Sequence, residues 1–279
     1  MTPGIATVGI GRRVIYSVLA LVVLEQVLRP TPLPLFPTPP AKRLHQAIVT
    51  APRDKLVVLS CSWEAGTQGE TAPQTDAIIR SLFLTDHKFA IFSMVPQGAK
   101  LAGAIADRLA KEYHKVYGVD YVNWGYKFGF ENFLIPWAKD IPRLVKTDIN
   151  GTPVSRIPLM GNVKTIRDVG LVIDVTGLAG ITELWLQFIQ GVYKTPFGMA
   201  VTGVMGPEAY PYLDSGQLVG LLTGLKGAAE YEEQIKVRGS ASTLMAAQSW
   251  AHVLIILLIV LGNIGAWRIS RARRRSRAD

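Results

Sequence analysis

Apolar residues follow three arrangements along this chain, and each predicts a different element. The clearest is near the C-terminus, where Gly239 to Trp267 holds no Asp, Glu, Lys or Arg and Val253 to Leu261 is an unbroken apolar run. A helix needs about 20 mostly apolar residues to cross a hydrocarbon core, so residues 239–267 are expected to form a transmembrane helix. Trp250 and Trp267 lie near its two ends, where amphipathic rings favour the headgroup region. Near the other terminus, Val14 to Leu28 is apolar apart from Glu25 and Gln26 and follows Arg12 and Arg13. That run is short for a span and has the length of a signal-sequence core, but no A-x-A cleavage pattern follows it. An uncleaved signal anchor over residues 1–28 is one reading and an amphipathic surface helix is the other.

Between these ends the period changes. Leu56–Cys61, Phe89–Met94, Gly170–Val175 and Phe197–Thr202 are short, β-branched, apolar runs, with Tyr121–Trp124 and Leu218–Leu222 as weaker members. Strands covered on both faces of a parallel sheet have this composition. Helical spacing fills the gaps at Thr75–Leu84, Ala99–Tyr117, Thr182–Tyr193 and Ala228–Lys236. Strands alternating with helices imply βαβ crossovers. The expected fold is therefore α/β, a Rossmann-like three-layer sandwich with a mainly parallel sheet of five or six strands over residues 44–238, flanked by N- and C-terminal transmembrane helices. Residues 29–43, rich in proline, read as an extended stalk.

Charge changes the picture once it is located. The formal balance is +9, which by itself suggests a polyanionic partner. However, residues 1–43 carry +4, residues 268–279 carry +5, and residues 44–267 hold nineteen basic and nineteen acidic side chains. The excess flanks the apolar helices, so the expected partner is the lipid bilayer and not nucleic acid. Arg268, Arg271, Arg273, Arg274, Arg275 and Arg277 resist translocation. Two spans then place both termini in the cytoplasm and the main domain outside the cell membrane. If the terminal helices pack as a hairpin, Glu25, Gln26, Gln248 and His252 share one depth, and a Glu25–His252 pair becomes possible. Alternatively, these polar groups serve a second membrane protein.

The candidate chemistry is sparse. Cys61 is the only cysteine, which excludes an intrachain disulfide and a cysteine zinc site. The four histidines are scattered, there is no Gly-x-Ser-x-Gly elbow, and no cofactor motif or metal site is expected. In open α/β sheets ligands bind beyond the carboxyl ends of the strands, which directs attention to Glu64, Gly66, Thr67, Gly69 and Glu70 after the first strand and to Asp174 at the end of a later one. The glycines would let a ligand approach the backbone, and the three carboxylates together would suit acid/base work or a cation. The alternative is a structural turn, with Glu70 or Thr71 capping the next helix and Asp174 capping its own. Gly125–Phe130 and Gly203–Tyr212 are Gly/aromatic loops at strand ends, which form either ligand walls or protein contacts, and their aromatic content favours contacts.

Trp63-x-x-Gly66-Thr67-x-Gly69-Glu70, Tyr210-Pro211-Tyr212-Leu213-x-Ser215-Gly216-Gln217, and Ala247–His252 leading into Leu261–Ile264 resemble an uncharacterised prokaryotic family of membrane-anchored α/β proteins. That family brings no established activity and hence no catalytic residues. The layout is also similar to auxiliary subunits of some membrane transport complexes. The expected function is an accessory subunit presenting an α/β domain to a larger membrane assembly. The alternative is a ligand-binding sensor or hydrolase-like enzyme with a carboxylate-lined crevice.

Overall fold

The computed structural model of the chain describes residues 4–31 and 34–275, with side chains for 11–31, 34–268 and 271. Pro32 and Leu33 of the expected stalk and Arg277 of the tail lie outside the described residues, as do the side chains of Arg273, Arg274 and Arg275. The chain divides into a compact unit, Leu35–Ala241, and a helical unit drawn from its two ends.

The compact unit is a six-stranded, all-parallel sheet. Its strands are β1 (Leu56–Ser62), β2 (Phe89–Ser93), β3 (Tyr121–Tyr126), β4 (Val169–Thr176), β5 (Phe197–Val201) and β6 (Gly220–Thr223), in the spatial order β3-β2-β1-β4-β5-β6. All six expected strands form. Every residue of β1, β2, β4 and β5 is buried, as continuous apolar runs require in a sheet covered on both faces.

One face is covered by α2 (Pro39–Thr50), α3 (Gln68–Leu84), α4 (Pro96–Glu112) and α10 (Gly224–Gln234), with Leu44, Ile48, Ile78, Leu82 and Tyr231 buried against Val57, Leu59 and Ile173. The other face is covered by the connection from β3 to β4, which carries α5 (Glu131–Lys139) and α6 (Ile141–Val145). The succession α7 (Ile181–Trp185), a π-helical turn (Leu186–Gln190) and α8 (Gly191–Tyr193), followed by α9 (Gly206–Asp214), completes that layer. Its core is aromatic: Phe92, Trp137, Trp185 and Phe197 lie within about van der Waals reach of one another in edge and stacked pairs.

Three expectations change. The stalk stops at Thr38, because Pro39 and Pro40 occupy the first turn of α2, where a missing N–H costs nothing. Thr38 is fixed to the domain, its N–H and hydroxyl both donating to Glu230 at 3.1 and 2.6 Å. The stretch expected as a loop from Gly203 to Tyr212 mostly forms α9, with Pro207 again in the first turn. The helix expected from Thr75 begins seven residues earlier, at Gln68, and runs through Pro73.

The helix α2 sits unusually close to the sheet. A Cβ on Gly220 would stand 2.2 Å from Leu44 N and 2.3 Å from Leu44 Cα, and one on Gly198 would stand 2.5 Å from Leu44 Cδ1. The two glycines therefore form the seat that lets Leu44 reach complete burial.

In the helical unit, α1 (Gly4–Leu28) and α11 (Ser240–Arg275) are both long. Among the described residues only Ser240–Arg268 is long and apolar enough to cross a membrane. The N-terminal helix carries Arg12, Arg13 and Glu25, and of the expected pair of spanning helices the described residues supply one, at the C-terminus. Ile256, Leu257, Ile259 and Leu261 of α11 are open to the surroundings. The Glu25–His252 pair does not form: Glu25 accepts from the Gln26 amide and His252 is exposed. The contact between the helical ends is instead Trp250 Nε1 donating to the Thr31 carbonyl at 3.0 Å, while Gln26 Oε1 accepts from the Thr31 N–H and hydroxyl.

Candidate functional site

The strand order reverses between β1 and β4, and this is where open α/β sheets leave a crevice. The loop after β1 enters α3 through tight turns. Thr67 N donates to the Glu64 carbonyl at 3.1 Å, and the Thr71 N–H and hydroxyl both donate to the Thr67 carbonyl. The turn is held from the side by Ala65 N donating to Gln97 Oε1 at 3.2 Å, from the start of α4.

The crevice is closed. A Cβ on Gly177, just after β4, would lie 2.5 Å from Thr67 Cγ2, so the Thr67 side chain fills the space between the two loops. Below it, the Thr176 hydroxyl donates to the Ser62 carbonyl at 3.0 Å, stitching β4 to β1. A pyrophosphate reached by backbone N–H groups needs that space open. A Cβ on Gly66 or Gly69 would meet nothing within 4 Å, so both glycines face away from the closed seam into open space.

The three carboxylates occupy three environments. Glu64 is exposed. Glu70 accepts the Gly203 N–H at 2.6 Å and lies 3.2 Å from where a Cβ of Gly224 would be, so it ties α3 to the loops after β5 and β6. It does not cap its own helix. Asp174 is wholly enclosed, opposite Ser60 on β1 and Met199 on β5, and its side chain lies on the aromatic face with Trp185.

Among the described residues, neither carboxylate oxygen of Asp174 has a hydrogen-bond partner, and neither does Trp185 Nε1. Burial raises its pKa to about 7, and the nearby Ser60 hydroxyl and Trp185 indole offset only part of that rise. Behind the same strands, on the opposite face, burial and the charge of Asp174 push the Cys61 thiol upward, which leaves it an inert core residue.

The Gly/aromatic loop after β3 is different in kind. Gly125 and Gly129 have φ of +80° and +109°, and Phe130 is held at φ +45°, a conformation costing a side chain about 1–3 kcal/mol. The loop is pinned where Lys127 N donates to the Ser93 carbonyl at 2.8 Å and Lys127 Nζ to the Val145 carbonyl at 3.0 Å. Phe128, at the tip, is 81% exposed. Val204, after β5, is 86% exposed, with Tyr210 beyond it on α9. Sequence composition marks both segments, but that Phe128 points outward depends on the positive-φ residues Gly125, Gly129 and Phe130 and cannot be read from it.

Fold and site together define an α/β domain of the 3-2-1-4-5-6 strand order whose switch-point crevice is filled by protein, continuous with a C-terminal helix of membrane-spanning length. No protein-family model, no curated protein and no solved structure matches the chain.

Proposed function

We propose that this is a membrane-anchored accessory protein whose α/β domain docks onto a partner protein through the loops after β3 and β5. The observation that carries the reading is the pinned, strained loop displaying Phe128. A rigid turn that holds a large apolar ring in water gains from covering it, and aromatic residues are enriched at interface cores. The filled crevice and the dispersed Glu64, Glu70 and Asp174 favour this reading over the small-ligand sensor or hydrolase-like enzyme. Membership of the prokaryotic family of membrane-anchored α/β proteins belongs to the same proposal, supported by its matching layout.

Photo-crosslinkers placed at positions 128 and 204 are expected to yield the same adduct in native membranes, while one at exposed Val116, outside both loops, yields none. Phe128→Asp with Val204→Asp should lower adduct recovery from a third site, Tyr210 on α9, at least tenfold without changing the melting temperature. Equal adducts at position 116, or a monodisperse monomer with no adduct anywhere, would remove the docking reading.

The anchoring proposal is two-pass, with α1 as a second span, both termini cytoplasmic and the domain outside. It is supported by the basic residues flanking both apolar helices and by the exposed apolar surface of α11. Val116→Cys, outside the docking loops, offers one accessible thiol, because Val116 is exposed and Cys61 is buried. A membrane-impermeant maleimide should label this variant in intact cells and leave the unsubstituted protein unlabelled. Labelling that requires broken cells would put the domain on the cytoplasmic side.

A further inference from the structure

At the opposite end of the sheet, the amino ends of the strands frame two cavities that share walls. One, of about 420 Å3, lies between Lys55, Arg167 and Lys194. The other, of about 380 Å3, is bordered by α2 and by Val219 ahead of β6, with Arg43 at its rim. Pro52, Gly170 and Pro196 line both. Each has the size of a small-molecule site.

Gly170 is what allows them to join, since a Cβ there would stand 3.1 Å from Lys55 Cβ and 3.2 Å from Pro52 Cδ.

The two halves differ in chemistry. The first carries three cations and no acid in its wall, and among the described residues none of the three forms an ion pair. The nearest acid is Asp168, one of whose oxygens accepts the Lys164 and Thr165 N–H groups and whose charge Lys55 partly balances, which leaves an excess of cations over acids around the cavity. The second cavity is walled mainly by Ala47, Ala51, Val219 and the shared prolines. Residues 44–267 are neutral overall, so an unpaired group of cations on one end is a local excess and not the domain average.

Lys194 is also held at φ +57° where α8 ends, and Thr195 beside it is buried, which fixes the strand-entry corner from which that lysine projects.

We propose that the joined cavity binds a phosphate-headed amphiphile. A dianionic phosphate monoester sits among Lys55, Arg167 and Lys194, and its aliphatic chain lies over Ala47, Ala51 and Val219. Three cations suit a dianion better than a single carboxylate, and a guanidinium can grip two phosphate oxygens at once. The apolar arm accounts for a chain of several methylenes, each of which gains by leaving water. This site is independent of the docking loops, which lie at the other end of the strands.

The test uses the full chain in lipid nanodiscs, titrated with hexyl phosphate, inorganic phosphate and hexanol. Hexyl phosphate is expected to bind at least tenfold more tightly than either of the others. Arg167→Glu with Lys194→Glu, both at exposed positions, should weaken hexyl phosphate at least tenfold at unchanged melting temperature. Ala47→Phe, which fills the apolar arm, should bring hexyl phosphate down to the level of inorganic phosphate and leave inorganic phosphate unaffected. Competition by phosphatidic-acid vesicles identifies a bilayer headgroup as the source, and its absence a soluble phosphate ester; both satisfy the proposal. Hexyl phosphate binding no tighter than inorganic phosphate, or unchanged by the paired charge reversal, overturns it.

Discussion

Asp174→Asn is expected to stabilise the folded domain by an amount that grows with pH, from near zero at pH 4 to on the order of 4 kcal/mol at pH 8. The unfolded carboxyl titrates near 3.8, whereas burial lifts the folded one to about 7. Below pH 4 both states hold the proton, and the neutral acid and the amide have nearly the same shape. Between 4 and 7 the unfolded chain releases a proton that the folded chain retains, so the natural protein loses about 1.4 kcal/mol for each pH unit. Above 7 the folded state must hold a charge whose oxygens have no hydrogen-bond partner, and the deficit stays constant. Asparagine has no such titration. Denaturant unfolding of both proteins at pH 4, 6 and 8 tests this, and a difference that is the same at all three values would show that Asp174 is not held neutral.

Gly220→Ala should destabilise the domain by about 3–5 kcal/mol, a large loss for a single methyl group. The added Cβ meets the backbone of α2 at Leu44, which has no rotamer with which to move aside. The helix must lift, uncovering Leu44 and Ile48, both fully buried. Gly198→Ala meets only the tip of the Leu44 side chain and should cost less. Gly66→Ala, with nothing within 4 Å, serves as the control and should stay within about 0.5 kcal/mol. Thermal unfolding of the three variants decides the matter, and a Gly220→Ala protein as stable as Gly66→Ala would mean that α2 is not seated on β6.

The strands are legible because a parallel sheet buried on both faces leaves continuous apolar runs, which are hard to mistake when bounded by polar turns. The strands observed at Leu56–Ser62 and Val169–Thr176 extend the apolar runs by one residue at most on each side. Helices opened by proline are not legible in the same way. Pro39–Pro40 and Pro207 carry the composition of a spacer or a loop, and only the surface they cover shows that they begin α2 and α9.

At the site, the apolar run through Val175 places Asp174 at the end of a strand, and the strand order puts that strand beside β1. The run does not tell that the carboxyl points at Trp185 and away from solvent, because one residue of register decides the face. The destination of Glu70, an N–H 133 residues further along, is a tertiary fact with no local signature. The cation-lined cavity is equally invisible, being assembled from short pieces ahead of four strands and the end of α2.

The seat of Leu44 on Gly220 and Gly198 also sets a timetable for synthesis. The α2 helix is among the first parts of the domain to leave the ribosome, yet the strand it covers, β6, is the last of the sheet to be made. At about 5–20 residues per second, Leu44 waits roughly 10–35 s for Gly220. During that interval Leu44 and Ile48 have only the partial cover that α3 and β5 supply. The nascent chain is thus most exposed to misassociation at its beginning, and the closing of the domain is a single late event, in which the first helix and the last strand come together.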